Sequence, residues 1–129
     1  MENTKEQLTL TVEQGTKADF VSDNVYAAQV SDIQKVTMEF GDALRISFKI
    51  QEGAEAGKTV TGLAKYALNE KTKLYNWLKV IGLNLPVGQA VDLHSILGKR
   101  CRVLTKTRTK GSTSGEIMKY SNVAEVLPA

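Results

Sequence analysis

The sequence predicts a mainly β domain with five antiparallel strands and one α-helix between the third and fourth strands. Two observations support this prediction. Apolar and polar residues alternate in several segments after residue 23, which is the period of a strand with one buried face. In residues 74–81 the apolar spacing changes to that of an amphipathic helix.

The first two predicted strands are joined by a short turn. Residues 25–33 form strand 1, and a shift of apolar parity between Val30 and Ile33 predicts either a β-bulge or a coiled long strand. Glycine and aspartate in residues 39–42 predict the turn. Residues 43–50 form strand 2, in which large apolar residues alternate with small and basic ones. One face of strand 2 is therefore expected to lie in the core.

The third strand and the helix come next. Residues 58–68 form strand 3, and Gly62 in its middle predicts either a kink or a close approach of another group to the backbone. The helix is expected to begin at a cap provided by Asn69 or Thr72, and to end at Gly82.

The fourth strand is the most basic segment of the chain. Residues 99–110 contain six Lys and Arg residues and no acid, with Val and Thr favouring a strand. A helical turn in residues 91–98 is expected before it, and strand 5 spans residues 116–127. Alternation places the apolar side of strand 4, including Cys101, opposite a basic face. That basic face consists of Arg100, Arg102, Lys106, Arg108 and, by the same parity, Lys110.

This order of elements is the layout of the OB-fold, a five-stranded Greek-key barrel in which a helix closes one end. An open α+β sheet with the helix across one face is the alternative. The predicted domain covers residues 23–129, and residues 1–22 are a polar segment. The alternating run at residues 8–12 is either an extra strand or part of a tail.

Composition argues against several classes of protein. No segment approaches the roughly 20 apolar residues of a membrane span, and the polar N-terminus lacks a signal-peptide core, so a cytoplasmic protein is expected. One cysteine excludes an internal disulfide. One histidine, His94, offers no metal-ligand spacing, and no acid pair or nucleophile motif is evident. We expect no catalytic residues, no metal and no cofactor, and hence a non-enzyme.

Charge is distributed unevenly along the chain. Residues 1–57 contain ten acidic and five basic residues, whereas residues 58–129 contain four acidic and twelve basic residues. This asymmetry favours a surface for a polyanion, contributed mainly by the second half. Strand 4 would space its outward cations at about 7 Å, close to the phosphate spacing of a stretched single strand.

Five motifs in residues 24–128 resemble those of small OB-fold-like proteins of phages and mobile elements, some of which are placed with single-stranded-DNA-binding replication proteins. The motifs consist mostly of core and turn residues, so the resemblance bears on fold more than on activity. They are Tyr26-x-Ala28-x-Val30, Leu44-x-Ile46-x-Phe48-x-Ile50, Lys73-Leu74-x-x-Trp77-Leu78, Leu97-Gly98-Lys99-x-Cys101-x-Val103 and Tyr120-x-x-Val123-x-x-Val126-x-Pro128.

The resemblance implies a ligand that lies across strands 2 and 3, between clasping loops at residues 35–42 and 108–115. Arg45, Lys49 and Lys65 would then face the ligand, in a groove shared with the basic strand. Exposed aromatic residues are few on this face: Phe40, Tyr66 and Tyr120 are the stacking candidates, and Phe48 and Trp77 are expected in the core. Binding dominated by phosphate contacts, with steep salt dependence, would follow.

The leading hypothesis is a non-catalytic module that binds single-stranded nucleic acid, with DNA in replication or recombination as the expected setting. Sequence does not separate DNA from RNA. A protein-interaction or assembly module, meeting an acidic partner or a second copy, is the alternative, and an oligosaccharide-binding barrel is a third. The predicted nucleic-acid contacts are Arg45, Lys49, Lys65, Tyr66, Arg100, Arg102, Lys106, Arg108, Lys110 and Tyr120.

Overall fold

Five strands in one sheet and one α-helix make up the described part of the chain, which is a computed structural model of residues 18–111, 115 and 117–129. The predicted mainly β class, with its helix between the third and fourth strands, is confirmed. The helical turn expected before the fourth strand is a short 3-10 helix at Leu93–Ile96. The elements are β1 (Val25–Met38), β2 (Gly41–Ile50), β3 (Thr59–Lys65), α1 (Lys73–Ile81), β4 (Arg100–Gly111) and β5 (Ile117–Leu127).

The strands pair in the order β1-β2-β3-β5-β4, and β4 pairs again with β1, so the sheet closes on itself. Four of these pairings are antiparallel, but β3 and β5 are parallel and share the single pair Thr61 and Asn122. The expectation of an all-antiparallel sheet is therefore wrong. In a closed ring with an odd number of strands, direction cannot alternate at every pairing, so one pairing must be parallel.

The β-bulge predicted in β1 is confirmed. Val30 lies opposite Phe48, and Asp32 lies opposite Ser47, so Ser31 is the extra residue in β1. The insertion allows Val30 and Ile33 to face the interior although they are three residues apart. Beyond the bulge, β1 stays paired with β2 as far as Met38 and Gly41.

Helix α1 follows the local signals of the sequence. The hydroxyl of Thr72 accepts a hydrogen bond from the Tyr75 N–H, which identifies Thr72 rather than Asn69 as the cap. Gly82 ends the helix in the left-handed region, with φ of 117°. The apolar face packs into the core through the four predicted residues, Leu74, Trp77, Leu78 and Ile81.

Trp77 packs against β3 at Gly62. A Cβ on Gly62 would lie 2.7 Å from Cη2 of Trp77 and 3.0 Å from Cβ of Val123, so only glycine leaves room for the ring. Phe48 meets the indole edge to face, with ring centroids 6.4 Å apart. The close approach predicted at Gly62 is confirmed, as is the core position of both aromatic residues.

Residues 19–21 bridge β3 and β5, which share only one pair. Asp19 donates its N–H to the Thr59 carbonyl oxygen and accepts the Thr59 N–H on its carboxylate. The Ser121 hydroxyl accepts the Val21 N–H at 2.7 Å and donates to the Val21 carbonyl oxygen at 2.9 Å. Val21 is buried in the core. Most of the predicted N-terminal segment, residues 1–17 with the run at 8–12, lies outside the described residues.

Asp23 connects the start of the domain to β4. Its carboxylate accepts hydrogen bonds from the Thr107 N–H and hydroxyl, both at 2.7 Å. The pKa of Asp23 lies below its usual value, chiefly because of the hydrogen bond from the Thr107 hydroxyl. Desolvation of the carboxylate opposes this shift. The Thr107 N–H and the charge of Lys106 add to it.

We expect Gly62→Ala to lower the free energy of unfolding by about 1–3 kcal/mol, because the added methyl group overlaps the indole. Urea denaturation measures this change. In a Trp77→Leu background the same substitution should cost less, because the overlapping ring is absent. Equal costs in the two backgrounds would contradict the assigned contact.

We expect Asp23→Asn to destabilise the protein most at neutral pH. A folded-state pKa below the unfolded value stabilises the fold above the unfolded pKa, and this contribution is lost as pH falls through the folded pKa. The stability difference between wild type and variant should therefore shrink below about pH 4. Denaturation at a series of pH values tests this, and a difference independent of pH would contradict it.

Candidate nucleic-acid interface

The two faces of β4 differ as the alternation predicted. Cys101, Val103 and Thr105 are buried on the inner face. Thr105 is satisfied there, because its hydroxyl donates to the Ser22 carbonyl oxygen at 3.0 Å and accepts the Asn24 N–H at 3.2 Å. Four cations are exposed on the outer face, and we call this set the β4 cationic face: Arg100, Arg102, Lys106 and Arg108. The side chain of Lys110 lies outside the described residues.

Burial makes Cys101 a structural residue. Its side chain is 1% exposed, and desolvation raises the pKa of the thiol to about 11. The reactive thiolate is therefore scarce at neutral pH. The inward-facing thiol predicted from the sequence is confirmed.

The first part of β4 lies beside β1, which separates it from β2. Gln29 of β1 is opposite Arg100 on one side and Lys49 on the other. Arg100 and Lys49 therefore lie in one row, about 10 Å apart at two strand spacings. Arg45 pairs with Gln34 and Leu63, further along β2.

Lys65 lies opposite Ala43 on β2, diagonal to Arg45 across the β2–β3 pair. In the closed strand order, β1 separates β2 and Arg45 from β4, and β5 separates β3 and Lys65 from β4. The basic strand and the β2–β3 face are thus not adjacent strands, and the predicted residues divide into two areas joined through Arg100 and Lys49.

The second part of β4 lies beside β5. Lys106 is opposite Asn122, and Arg108 is opposite Tyr120. Tyr120 is 45% exposed and shares the outward face, so its ring stands next to a guanidinium group. This pair combines a phosphate-binding cation with an aromatic surface on which a base can stack.

The other two aromatic candidates, Tyr66 and Phe40, are placed less favourably for stacking with a base. Tyr66 is exposed, but the ammonium of Lys35 lies 4.8 Å from the centre of its ring and occupies one face. Phe40 is exposed in the turn between β1 and β2.

The predicted clasping loop at residues 35–42 is wrong. Residues 35–38 belong to β1, Gly41 and Asp42 belong to β2, and only Glu39 and Phe40 lie between the strands. The bulge at Ser31 corrects the register, so pairing continues to the turn. The second loop, residues 108–115, is in part strand, since β4 extends to Gly111, and residues 112–114 lie outside the described residues.

The acidic residues near the ends of β2 pair with lysines close to them. Asp42 lies 3.5 Å from Lys35, and Glu55 lies 3.1 Å from Lys58. Within residues 18–111 and 117–129, no ion pair within 4.0 Å involves the β4 cationic face. Asp23 contributes negative charge near Lys106, but its carboxylate is directed at Thr107.

Arg102 also has a structural contact. Its Nε donates a hydrogen bond of 2.9 Å to the Pro128 carbonyl oxygen, which holds the end of the chain against β4. A substitution at Arg102 would thus change packing as well as charge, so Lys106 is the cleaner position for testing the surface.

Sequence reasoning missed Lys73. Its ammonium lies 4.6 Å from the centre of the Trp77 ring. Partial burial, followed by repulsion from Arg108, lowers the pKa of Lys73. The helix therefore brings another cation close to the β4 cationic face. The available signal was a lysine in the first helical turn, where the helix dipole favours an acid.

Other chemistry finds little support in the described residues. They contain no cluster of three or more His, Cys, Asp or Glu side chains able to hold a metal ion. His94 is exposed, and the Asp92 carboxylate beside it accepts the His94 N–H as the cap of the 3-10 helix. Among these residues, no helix combines the length and apolar character required to cross a membrane.

No protein-family model matches the sequence, and no curated protein matches it.

We expect Cys101 in the native protein to react with a thiol-specific disulfide reagent only as fast as the protein opens, because the thiol is buried and largely protonated at neutral pH. In denaturant the reaction should be immediate. The absorbance of the thiolate released from the reagent measures both rates. A native rate close to the denatured rate would contradict the inward orientation of this face of β4.

Proposed function

We propose that this protein is a non-catalytic module that binds single-stranded DNA, chiefly through its backbone phosphates. The observation that carries the proposal is the β4 cationic face, in which four exposed cations share one side of a strand whose other side is core. A strand with one solvent-exposed face needs polar residues on that face. Solvent exposure alone does not explain why four of them are cations, or why residues 99–110 contain no acid.

The spacing of these cations suits an extended polyanion. Successive outward positions of a strand are about 7 Å apart, and Arg100 and Arg108 are separated by roughly 27 Å along β4. A single strand lying along β4 could contact phosphates at several of these positions, each contact releasing counterions. Tyr120 beside Arg108 adds one stacking surface, which favours a single strand over a duplex whose bases are already stacked.

We further propose that the closed sheet is an OB-fold barrel. The closed strand order, the single helix between β3 and β4 among the described residues, and the apolar helix face in the core all support this assignment. The resemblance of residues 24–128 to phage and mobile-element proteins supports a role in replication or recombination. With a two-residue turn between β1 and β2, we place the binding surface on β4 and β5 rather than across β2 and β3.

An assembly module is the second candidate, and one observation favours it. A cavity of about 400 Å³ beside α1 has an apolar lining that includes Leu68, Leu85 and Pro86. Val87 at its rim is 93% exposed. Exposed apolar surface of this kind is typical of contacts between proteins. A protein that forms oligomers but fails to bind oligonucleotide would belong to this second class.

We expect fluorescence anisotropy with labelled oligo-dT to show binding at low salt that weakens steeply as salt rises. Lys106→Gln should weaken binding and reduce the slope of log affinity against log salt by about one, because one phosphate contact is lost. The matched control is Lys58→Gln, since Lys58 pairs with Glu55 away from β4.

Two outcomes would overturn the proposal. The first is no binding at about 50 mM salt, where phosphate contacts are strong. The second is equal loss of affinity in Lys106→Gln and Lys58→Gln, which would mean that general charge, and not β4, attracts the strand.

A further inference from the structure

A second cavity lies between α1 and β5, on the side of the sheet next to the β4 cationic face. Its volume is about 520 Å³. Apolar groups, among them Trp77 and Val126, form part of its wall. Its polar lining residues are Lys71, Lys73, Asn76 and Glu125.

The helix arranges its side of this cavity in a fixed order. Lys73, Asn76 and Val80 are spaced at i, i+3 and i+7, which places them along one face of α1. Their chemistry therefore changes along the helix axis, from a cation at the first turn, through an amide, to an apolar side chain near the end. The distance along the axis from Lys73 to Val80 is about 10 Å.

A β-bulge in β5 shapes the opposite wall of this cavity. Leu104 lies opposite Glu125, and Thr105 lies opposite Val123, so Ala124 is the extra residue of β5. Val123 and Val126 are both buried although they are three residues apart. The bulge thus leaves Ala124 and Glu125 together on the cavity side.

The cavity lies near the surface proposed to bind DNA. Glu125 is three residues from Asn122, the partner of Lys106 on β4. Lys73 lies near enough to Arg108 for the two charges to repel each other. A strand that runs along β4 could therefore enter the cavity past these two cations.

We propose that this cavity takes one nucleotide of the bound strand, with its phosphate toward Lys71 and Lys73 and its base toward Asn76 and Glu125. This inference rests on the proposed DNA-binding function and adds a base preference to it. The lysines supply charge for a phosphate. The amide and the carboxylate suit the polar edge of a base, and the side chains of Val80 and Ala124 can contact its flat surface.

Glu125 indicates which bases fit. A carboxylate only accepts hydrogen bonds, so it favours a base with an exocyclic amino group, such as cytosine, over thymine, which presents a carbonyl oxygen at the same position. It would also repel a free phosphate ion, so a nucleotide suits the cavity better than an inorganic anion does.

The test compares oligo-dC and oligo-dT of equal length, because cytosine presents an amino group at the position where thymine presents a carbonyl oxygen. Wild type should bind oligo-dC roughly five-fold or more tightly than oligo-dT, by anisotropy at neutral pH. Glu125→Gln should bring this ratio close to one, since an amide can donate to thymine as well as accept from cytosine. Glu52→Gln, on the exposed loop after β2, is the matched control and should keep the wild-type ratio.

A second pair of variants tests the phosphate end. Lys73→Gln should weaken both strands by the same factor and leave their ratio unchanged. Lys79→Gln, at the other end of α1 with its ammonium 5.9 Å from the Tyr75 ring, should bind as wild type does. Urea denaturation of each variant shows whether the fold is retained.

The outcomes distinguish failure of the nucleotide cavity from failure of the proposed DNA-binding function. If oligo-dC and oligo-dT bind wild type equally, or if Glu125→Gln keeps the preference, the nucleotide cavity is wrong. In that case Lys106→Gln would still weaken both strands if β4 binds DNA. If neither strand binds wild type, both proposals fail.

Discussion

The indole of Trp77 lies against the backbone of β3 at Gly62, next to the place where β3 and β5 close the sheet. β3 and β5 share one parallel pair, so hydrogen bonding between these two strands contributes little to holding them together. Gly62 of β3 lies close to both the Trp77 ring and Val123 of β5, because a Cβ at this position would be 2.7 Å from the ring and 3.0 Å from Cβ of Val123. Hydrogen bonds between the Val21 backbone and the Ser121 hydroxyl also hold residues 19–21 against β5.

The same contact determines the surface. Once Trp77 is seated, the position of α1 is set, and its first turn carries Lys73 toward Arg108 on β4. The helix and β5 then form the two sides of an open cavity. Core packing and surface charge are therefore coupled through one aromatic side chain. The glycine at position 62 is as important for the candidate site as any of its cations.

Features that depend on local periodicity could be predicted from the sequence. The β1 bulge followed from the parity of Val30 and Ile33, and the two faces of β4 followed from alternation. Features that depend on distant partners could not. The parallel pairing of β3 with β5 arises from ring closure, and the two-residue turn after Met38 arises from the register that the bulge produces. For the same reason Lys73 was missed, since its proximity to Arg108 requires the packed helix.

The amino-acid sequence alone decides which segments are strands, where the helix ends, and which side of β4 is charged, because alternation and capping act between residues near each other in the chain. Only the folded structure decides which strands are neighbours. β4 lies between β1 and β5, away from Arg45 and Lys65, because its backbone pairs with both of these strands. Contacts across as many as 100 residues, such as Val21 with Ser121, make that choice.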